Sequence, residues 1–376
     1  MSSGTGGPPL LVTGMPRTAT SWVGKMLEAS GALVYVNEPL NPQHPPGRSP
    51  GVLRADVEHA FQYISEDNER DWLPAFRDTV RLRFHPLAEL RRNHRPYDLA
   101  RTVKYTAGFA LGRLRGRRAL LDDPYAVFAA PWLARRVGCQ VVVTVRDPVA
   151  TVSSWRRLGW TPRLAELLAQ PALVRDRLGR FVPALQAALA ADGDGGVGPA
   201  SLLWRVIYGT VAAYRQEVPG LEVVRHEDLS ADPVPAFRSL YGRLGLPFGP
   251  GAERAIVAAT SAGSGGGAMR WSVSGGGVSK TAARRLDSRA NLQVWRERLT
   301  PEEVARIVRS FLTEEDVPNV VNISATSWSK YQLVVRHMDK IGALGPDTII
   351  GHCIFLNDHP WLHWPHANDF ERLRDS

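Results

Sequence analysis

The residues of this chain that are best suited to binding an anion lie between positions 10 and 22, in the stretch Leu-Leu-Val-Thr-Gly-Met-Pro-Arg-Thr-Ala-Thr-Ser-Trp. A short apolar strand leads into a tight polar turn, and an amphipathic helix follows the turn. In such a unit several backbone N–H groups and the positive end of the helix dipole face one point, which favours phosphate or sulfate. The only cation of the turn is Arg17.

The same turn lacks the residues that hold Mg-ATP in a P-loop, whose pattern is Gly-x4-Gly-Lys-Ser/Thr. Counted from Gly14, Ala19 stands where the second glycine belongs and Thr20 stands where the lysine belongs, whereas Ser21 matches the final position. We therefore predict a site for an anionic nucleotide that is not held as Mg-ATP by a P-loop lysine.

A second group of anion-binding residues is predicted at the end of the apolar strand Gln140–Val145. Arg146-Asp147-Pro148 follows the strand directly, and Ser154 comes eight residues after Arg146, two turns into the next helix. Asp147 and Pro148 are typical of a helix N-terminus, as the capping residue and the first helical residue. Capping leaves Arg146 and Ser154 without a role at the carboxyl edge of the sheet, where open parallel sheets bind their ligands.

The elements that would position both groups alternate between apolar strands and amphipathic helices, which is typical of a parallel sheet covered on both faces. The sequence thus predicts the α/β class with a central, mostly parallel sheet. The clearest strands are Leu10–Thr13, Ala32–Val36, Gln140–Val145 and Leu221–Arg225. Helical insertions are predicted over residues 71–118 and 163–189, and a Gly/Ser-rich loop over residues 261–277.

Length and composition limit the class of protein. The chain has 376 residues and no apolar run of the roughly 18–20 residues that cross a bilayer. Its first nine residues are uncharged and rich in Ser, Gly and Pro, unlike a signal peptide. Its two cysteines are too few for a disulfide framework. We therefore expect a soluble, cytoplasmic protein without a membrane span.

The net charge of +9 comes almost wholly from arginine, since only five of the 46 basic residues are lysines. Arginine favours planar, bidentate binding of phosphate or sulfate, although a GC-rich genome would also raise the arginine content. The sequence has no zinc-finger spacing, basic zipper or aromatic RNA-binding signature. We expect no nucleic-acid partner.

Residues 15–22 resemble the 5′-phosphosulfate loop of the sulfotransferases that depend on 3′-phosphoadenosine 5′-phosphosulfate (PAPS), whose pattern is Pro-Lys/Arg-Ser-Gly-Thr-Ser/Thr-Trp. Arg146-Asp147-Pro148 with Ser154 is similar to the 3′-phosphate motif of that family, at the same spacing. Further segments resemble its C-terminal cofactor loop, the helix after that loop and two landmarks of bacterial members; they are residues 287–291, 295–300, 121–126 and 224–229. The resemblance covers residues 8–315 and implies a P-loop-like three-layer α/β fold with helical insertions.

The resemblance implies transfer of a sulfuryl group from PAPS to a hydroxyl or amine of a small-molecule or saccharide acceptor, with adenosine 3′,5′-bisphosphate (PAP) as the product. It implies no metal. The residues that it assigns to the cofactor are Arg17, Thr18, Ala19, Thr20, Ser21, Trp22, Arg146, Ser154 and Arg289. Arg17 would also stabilise charge on the bridging oxygen, since fixed donors at such a point are usually the largest catalytic contribution.

In-line transfer also needs a group that accepts the proton of the acceptor hydroxyl. We predict Glu38, which follows the second strand and resembles the glutamate of the Glu-Pro-Leu motif in carbohydrate sulfotransferases. The alternative for Glu38 is a strand-end turn before Pro39. His226 is a second candidate base, because cytosolic members of the family use histidine, but it stands where relatives usually have tyrosine.

Two residues depart from the family pattern. Ala19 replaces the usual glycine of the first loop, and if the backbone has a positive φ there, alanine costs about 1 kcal/mol or more. Asp122 stands where relatives tend to have lysine, so an anion replaces a cation near the site. These departures, together with the C-terminal tail, keep open a PAP- or nucleotide-binding protein without turnover. An atypical nucleotide kinase of the same fold is a separate alternative. The missing loop lysine opposes the kinase.

The last part of the chain is predicted to be separate, with a sulfotransferase domain over residues 1–318 and an unrelated tail over residues 319–376. The tail holds five of the ten histidines, and residues 345–356 resemble a strand of the metal-dependent amidohydrolase barrels. A metal site needs several ligands held together in space, and the rest of such a barrel is missing. We expect a fusion remnant or gene-model error without activity, and adventitious metal binding by the histidines is the alternative.

Overall fold

The computed structural model of the chain describes residues 7–42, 57–92, 96–191, 196–260, 292 and 294–311. Five parallel strands form the central sheet, in the order β2-β3-β1-β4-β5. They are β1 (Leu10–Gly14), β2 (Leu33–Asn37), β3 (Arg118–Asp122), β4 (Gln140–Val145) and β5 (Glu222–Arg225). The predicted α/β fold with a central parallel sheet is confirmed.

Apolar runs bounded by turn signals predict four of these strands to within one residue at either end, but they do not predict β3. Arg118 and Asp122 place charges at both ends of β3, so the segment does not stand out as an apolar strand, although all five of its residues are buried. Arg118 resolves the apparent conflict, because its guanidinium donates to the backbone oxygens of Pro8 and Leu244 and to the Gln140 side chain. β3 therefore fills the sheet between β1 and β2.

Helices account for most of the remaining described residues and include the predicted insertions over 71–118 and 163–189. The α-helices are α1 (Thr20–Glu28), α2 (Trp72–Val80), α3 (Pro86–Arg92), α4 (Pro96–Leu114), α5 (Ala130–Trp132), α6 (Pro148–Leu158), α7 (Leu164–Leu168), α8 (Pro171–Leu173), α9 (Val182–Ala190), α10 (Val197–Glu217), α11 (His226–Ala231), α12 (Pro233–Arg243), α13 (Pro250–Thr260) and α14 (Pro301–Phe311). Short 3₁₀ and π segments occupy Pro124–Ala129, Leu133–Val137, Val174–Leu178, Gly179–Phe181 and Val294–Glu297.

The helices lie on both faces of the sheet, so the fold has three layers. Successive side chains of a strand point to opposite faces, and Leu11 accordingly lies in one apolar core while Leu10 and Val12 lie in the other. The core around Leu11 includes residues of α2, α6, α10 and α14. The core around Leu10 includes residues of α1, α12 and α13. Both cores leave the carboxyl ends of the strands as a common edge.

The C-terminal described segment belongs to the same domain. Trp295, Leu299, Val304 and Ile307 are buried in the core around Leu11, where α14 packs against α6 and α10. The predicted 261–277 loop, the boundary at residue 318 and the 319–376 tail lie outside the described residues. No helix in the described ranges is long and apolar enough to cross a bilayer.

Candidate anion-binding site

The loop between β1 and α1 has an unusual backbone. Gly14 has φ 150°, and a Cβ at this position would lie 2.7 Å from the Thr144 hydroxyl oxygen, so glycine is required. Arg17 and Ala19 have φ values of 81° and 75°, in the left-handed region that non-glycine residues seldom occupy. The positive φ that the family pattern indicates for position 19 is therefore present, and alanine occupies it.

Side chains from the neighbouring strand and from α10 hold this loop from below. The Thr18 hydroxyl donates to the Met15 carbonyl oxygen at 2.7 Å and lies 2.8 Å from the Thr144 hydroxyl. The Tyr208 hydroxyl accepts from the Met15 N–H at 3.2 Å and donates to the Thr144 carbonyl oxygen at 2.8 Å. Thr18 is fully buried. The hydroxyl of this predicted cofactor residue thus supports the loop from inside.

The first turn of α1 presents backbone N–H groups at the mouth of the loop. Ala19 is the capping residue and has no side-chain acceptor, so the N–H groups of Thr20, Ser21 and Trp22 have no partner within the helix. No acidic residue lies in this turn. Such a helix end favours an anion.

Trp22 belongs mainly to the packing beneath this turn. Its ring meets the Phe237 ring edge to face at 5.2 Å and the His226 ring at 5.8 Å between centroids. His226 itself is 5% exposed, and burial followed by the Arg146 charge lowers its pKa. Its Nε2 lies 3.4 Å from the Ser230 hydroxyl. The second candidate base is therefore a buried neighbour of Trp22.

The second predicted group meets the first loop at Arg17. Asp147 caps α6 by accepting from the Ala150 N–H at 2.8 Å, with Pro148 in the first turn, as predicted. The two residues that capping leaves without a role both contact the loop: Arg17 Nε donates to Ser154 Oγ at 3.2 Å, and Arg146 Nη1 donates to the Arg17 carbonyl oxygen at 3.4 Å. Two segments distant in sequence thus form one site.

Two tryptophans, which sequence reasoning does not assign to the site, hold this junction. Trp155 Nε1 donates to the Pro16 carbonyl oxygen at 2.7 Å, and Trp204 Nε1 donates to the Arg146 carbonyl oxygen at 2.9 Å. Trp155 lies on the apolar face of α6, where the only sequence signal is that of a core residue. These bonds fix the backbone on both sides of the site.

Positive charge accumulates around Arg17. Burial, followed by the charges of Arg157, Arg146 and Arg298, lowers the pKa of the Arg17 guanidinium to about 10. Within the described ranges no ion pair forms at Arg17, Arg157 or Arg298. Burial and the Arg157 charge lower the pKa of Arg298 while the Glu297 charge acts against this, so the arginines repel one another. Sequence reasoning assigned no role to Arg157 or Arg298, although Arg298 lies in the 295–300 segment that resembles a helix of the family, and the predicted Arg289 lies outside the described residues.

Glu38 lies at the carboxyl end of β2, at the same edge of the sheet. Its backbone has φ 43°, its N–H donates to the Asp122 carbonyl oxygen at 2.8 Å, and its carbonyl oxygen accepts from the Asn41 N–H at 3.2 Å. The Asn41 side-chain amide donates to Glu38 Oε2 at 2.6 Å. The predicted strand-end turn is thus present, and it holds the carboxylate in a fixed orientation. Nearby, buried Asp123 accepts from the N–H groups of Leu40 and Tyr125 and ties this turn to β3.

No group of histidine, cysteine, aspartate and glutamate side chains in the described part of the chain could hold a metal ion. The site contains arginines, hydroxyls and backbone amides, and the carboxyl groups of Glu38, Asp122 and Asp123 lie at the same edge of the parallel sheet. These groups have the chemistry to bind an anion and to accept a proton.

Residues 8–250 match the model of the sulfotransferase family, so the chain belongs to that family. Among solved structures it is similar to the sulfotransferase domain from the Synechococcus PCC 7002 olefin synthase, with 13% identity, a TM-score of 0.41, and coverage of 82% of this chain and 96% of that one. The sulfotransferase domain from the curacin biosynthetic pathway gives 14% identity, a TM-score of 0.39, and coverage of 82% and 99%. Sulfotransferase STF9 from Mycobacterium avium gives 17% identity, a TM-score of 0.31, and coverage of 66% of each chain. No curated protein matches the chain.

The left-handed backbone at Ala19 leads to a stability prediction. Ala19→Gly should raise the free energy of unfolding by about 1 kcal/mol, because glycine adopts this conformation without the steric strain of a Cβ. Urea denaturation measures the effect, provided that the dependence of the unfolding free energy on urea concentration is the same in both proteins. Ala29→Gly is the matched control at the other end of α1, where φ is −61°; there glycine should lower stability by about 0.5–1 kcal/mol. Equal changes in the two variants would contradict strain at Ala19.

Proposed function

We propose that this member of the sulfotransferase family transfers the sulfuryl group of PAPS to a hydroxyl or amine of a small-molecule or saccharide acceptor. The observation that carries the proposal is the meeting of both anion-binding groups at Arg17, whose guanidinium contacts Ser154 and whose carbonyl oxygen contacts Arg146. A ligand with two anionic ends fits such a site. PAPS has a 5′-phosphosulfate and a 3′-phosphate.

In this proposal the 5′ end of the nucleotide binds the first-turn amides of α1, Arg17 and the Thr20 and Ser21 side chains. The 3′-phosphate binds Arg146 and Ser154. Arg157 and Arg298 add positive charge near Arg17. Arg17, Arg157 and Arg298 form no ion pair within the described ranges, although the Glu297 charge acts on Arg298, so bound phosphate relieves their mutual repulsion.

Two residues of the chain then carry the chemistry. Glu38 accepts the proton of the acceptor as the acceptor oxygen or nitrogen forms its bond to sulfur. The bond between sulfur and the bridging oxygen breaks, and its electron pair stays on the phosphate of PAP. Arg17 stabilises the charge that develops on that oxygen, with a fixed donor that needs little reorganisation.

Calorimetric titration with PAP tests the site. The intact chain should bind PAP, and Arg146→Ala should bind it about 10- to 100-fold more weakly, because a charge-assisted hydrogen bond to phosphate contributes about 1.5–3 kcal/mol. Mg-ATP should not compete. Arg238→Ala is the matched control, since Arg238 is exposed on α12 and pairs with Glu253. Unchanged affinity in Arg146→Ala, or no binding to the intact chain, would overturn the proposal.

A second candidate function is PAP binding without turnover. Two observations favour it, the strained backbone at Ala19 and the buried carboxyl of Asp122 at the carboxyl edge of the sheet. This candidate predicts the same titration result and no transfer to any acceptor. A kinase of the same fold predicts competition by Mg-ATP, so the titration separates it from both.

A further inference from the structure

The exposed side of α4 and the neighbouring helix α3 carries large apolar side chains. Among the described residues six such side chains are exposed, and four of them lie on these two helices, which pack against each other. They are Leu87, Val103, Leu111 and Leu114. The other two, Leu189 and Val257, lie on different helices, α9 and α13. A single exposed apolar residue is ordinary, whereas a group of four on adjacent helices indicates a contact surface.

The spacing of the residues on α4 forms an apolar stripe, which consists of Val103, Ala107, Leu111 and Leu114. Consecutive members are three or four residues apart, so at 3.6 residues per turn they lie within about 80° of one another around the helix. All four are exposed. The exposed fraction is 69% at Val103 and 84% at Leu114, so these two side chains stand clear of their neighbours.

The buried side of α4 faces away from this stripe. The Phe109 ring meets the Phe84 ring edge to face at 5.8 Å between centroids. A Cβ at Gly112 would lie 2.5 Å from Val34 Cγ2, so glycine lets the helix approach β2 closely. Helix α4 is therefore apolar on two opposite sides, and packing within the described part of the chain accounts for one of them.

Basic residues border the apolar stripe. Lys104, Arg113 and Arg115 are exposed, and none of them forms an ion pair within the described residues. Residues 99–121 include six basic residues and no acidic residue. A helix with an apolar face and basic flanks is typical of a segment that lies on an anionic lipid surface.

The sign and shape of this surface favour lipid over a protein partner. A symmetric dimer through α4 would bring Lys104, Arg113 and Arg115 of one copy towards the same residues of the other, and like charges repel. The exposed side of a single helix is also convex. A lipid interface accommodates a convex apolar face, whereas a bound peptide helix usually occupies a groove.

We propose that the apolar stripe of α4 docks on an anionic lipid surface. The helix lies in the plane of the interface, and Val103, Leu111 and Leu114 enter the boundary between the head groups and the acyl chains. Lys104, Arg113 and Arg115 bind the lipid phosphates. This interaction surface is additional to the proposed transfer reaction and does not depend on it.

Co-sedimentation of the full chain with vesicles tests the docking. The chain should bind vesicles of phosphatidylcholine and phosphatidylglycerol, and it should bind phosphatidylcholine alone at least about 10-fold more weakly. Val103→Ser combined with Leu114→Ser should weaken binding to the mixed vesicles by about 10-fold or more, because two apolar side chains no longer leave water. Leu189→Ser combined with Val257→Ser is the matched control and should bind as the intact chain does. Absence of binding to the mixed vesicles would overturn the proposal.

A second pair of variants tests the basic flanks. Arg113→Gln combined with Arg115→Gln should weaken binding to the mixed vesicles by about 10-fold at low salt, and the difference should shrink as salt screens the charges. Arg215→Gln combined with Arg254→Gln removes the same charge from exposed positions on α10 and α13 and should have a smaller effect. Equal losses in the two pairs would show attraction by net charge alone and would overturn docking through α4.

Two measurements without lipid identify other occupants of the stripe. The proposal predicts that Val103→Ser with Leu114→Ser changes the midpoint of urea unfolding no more than the Leu189 and Val257 pair does, and that it sediments as the intact chain does. A larger drop in the midpoint would show that another part of the chain covers the stripe. A dimer in the intact chain that the variant loses would show that a second copy covers it. Either result would overturn the proposal.

Discussion

Glu38→Gln should abolish most sulfuryl transfer while leaving the affinity for PAP unchanged. The amide has the shape of the carboxylate and still accepts from the Asn41 side chain, which now donates to Glu38 Oε2 at 2.6 Å. It cannot take a proton. Loss of a general base lowers the rate by about 10²- to 10⁴-fold. The measurement is transfer of radiolabelled sulfate from PAPS to a panel of alcohols, sugars and phenols.

The acceptor panel distinguishes a base from a merely structural residue. A phenol releases its proton more readily than an alcohol, so the loss in Glu38→Gln should shrink as the pKa of the acceptor falls. A structural defect would lower transfer to all acceptors by a similar factor. His226→Gln is the comparison, and it should retain transfer because His226 packs beside Trp22 in the interior. Retained transfer in Glu38→Gln with loss in His226→Gln would reverse the assignment of the base.

The local part of the site could be predicted from the sequence because it depends on turns and caps. The Asp147-Pro148 cap and the strand end before Arg146 are properties of a few consecutive residues, whereas the positive φ at Ala19 is indicated only by the glycine of the family pattern. Arg17 also has a positive φ, which its residue type does not indicate. Long-range bonds hold that conformation, among them the bond from Trp155 to the Pro16 carbonyl oxygen.

The electrostatic part of the site could not be predicted from the sequence, because it depends on contacts between segments that are far apart in the chain. Arg157 and Arg298 lie near Arg17 only because α6 and the segment before α14 pack against each other. Periodicity shows which face of a helix is apolar, but it does not show which two polar faces meet. The strand β3 escaped prediction in a related way, since the acceptors that bind Arg118 come from distant segments.

Asp122 shows the limit of residue-type reasoning most clearly. An aspartate at position 122 indicates an anion, yet burial and an incomplete set of donors raise its pKa to about 7. Only the packing of Gly24 and Tyr35 around it reveals a carboxyl that can be neutral. Residue type alone therefore does not indicate the protonation state at this position.

Arg17→Lys should lower kcat by about 10²- to 10³-fold with a much smaller effect on the affinity for PAP. Lysine keeps the positive charge but loses the planar fork and the Nε donor that contacts Ser154 Oγ at 3.2 Å. The backbone strain is unchanged, because neither residue is glycine and φ at this position is 81°. Single-turnover transfer and PAP titration, measured on the same preparations, separate the two effects. An equal loss in kcat and in affinity would show that Arg17 binds the ground state and does not stabilise developing charge.

Arg17→Gln extends this prediction to the stability of the ligand-free protein. Removing the central charge of the arginine cluster should raise the free energy of unfolding without ligand, because burial and the charges of Arg157, Arg146 and Arg298 disfavour the charged guanidinium in the fold. The pKa of Arg17 in the folded chain, about 10, lies below its ordinary value, so this penalty is present throughout the neutral range. Transfer should be lost in the same variant. Arg156→Gln is the control, since Arg156 pairs with Glu303 at the surface. This variant should keep transfer and should change the free energy of unfolding by no more than about 1 kcal/mol. A loss of stability in Arg17→Gln would mean that the arginine supports the fold, and the cluster would then need no anion to explain it.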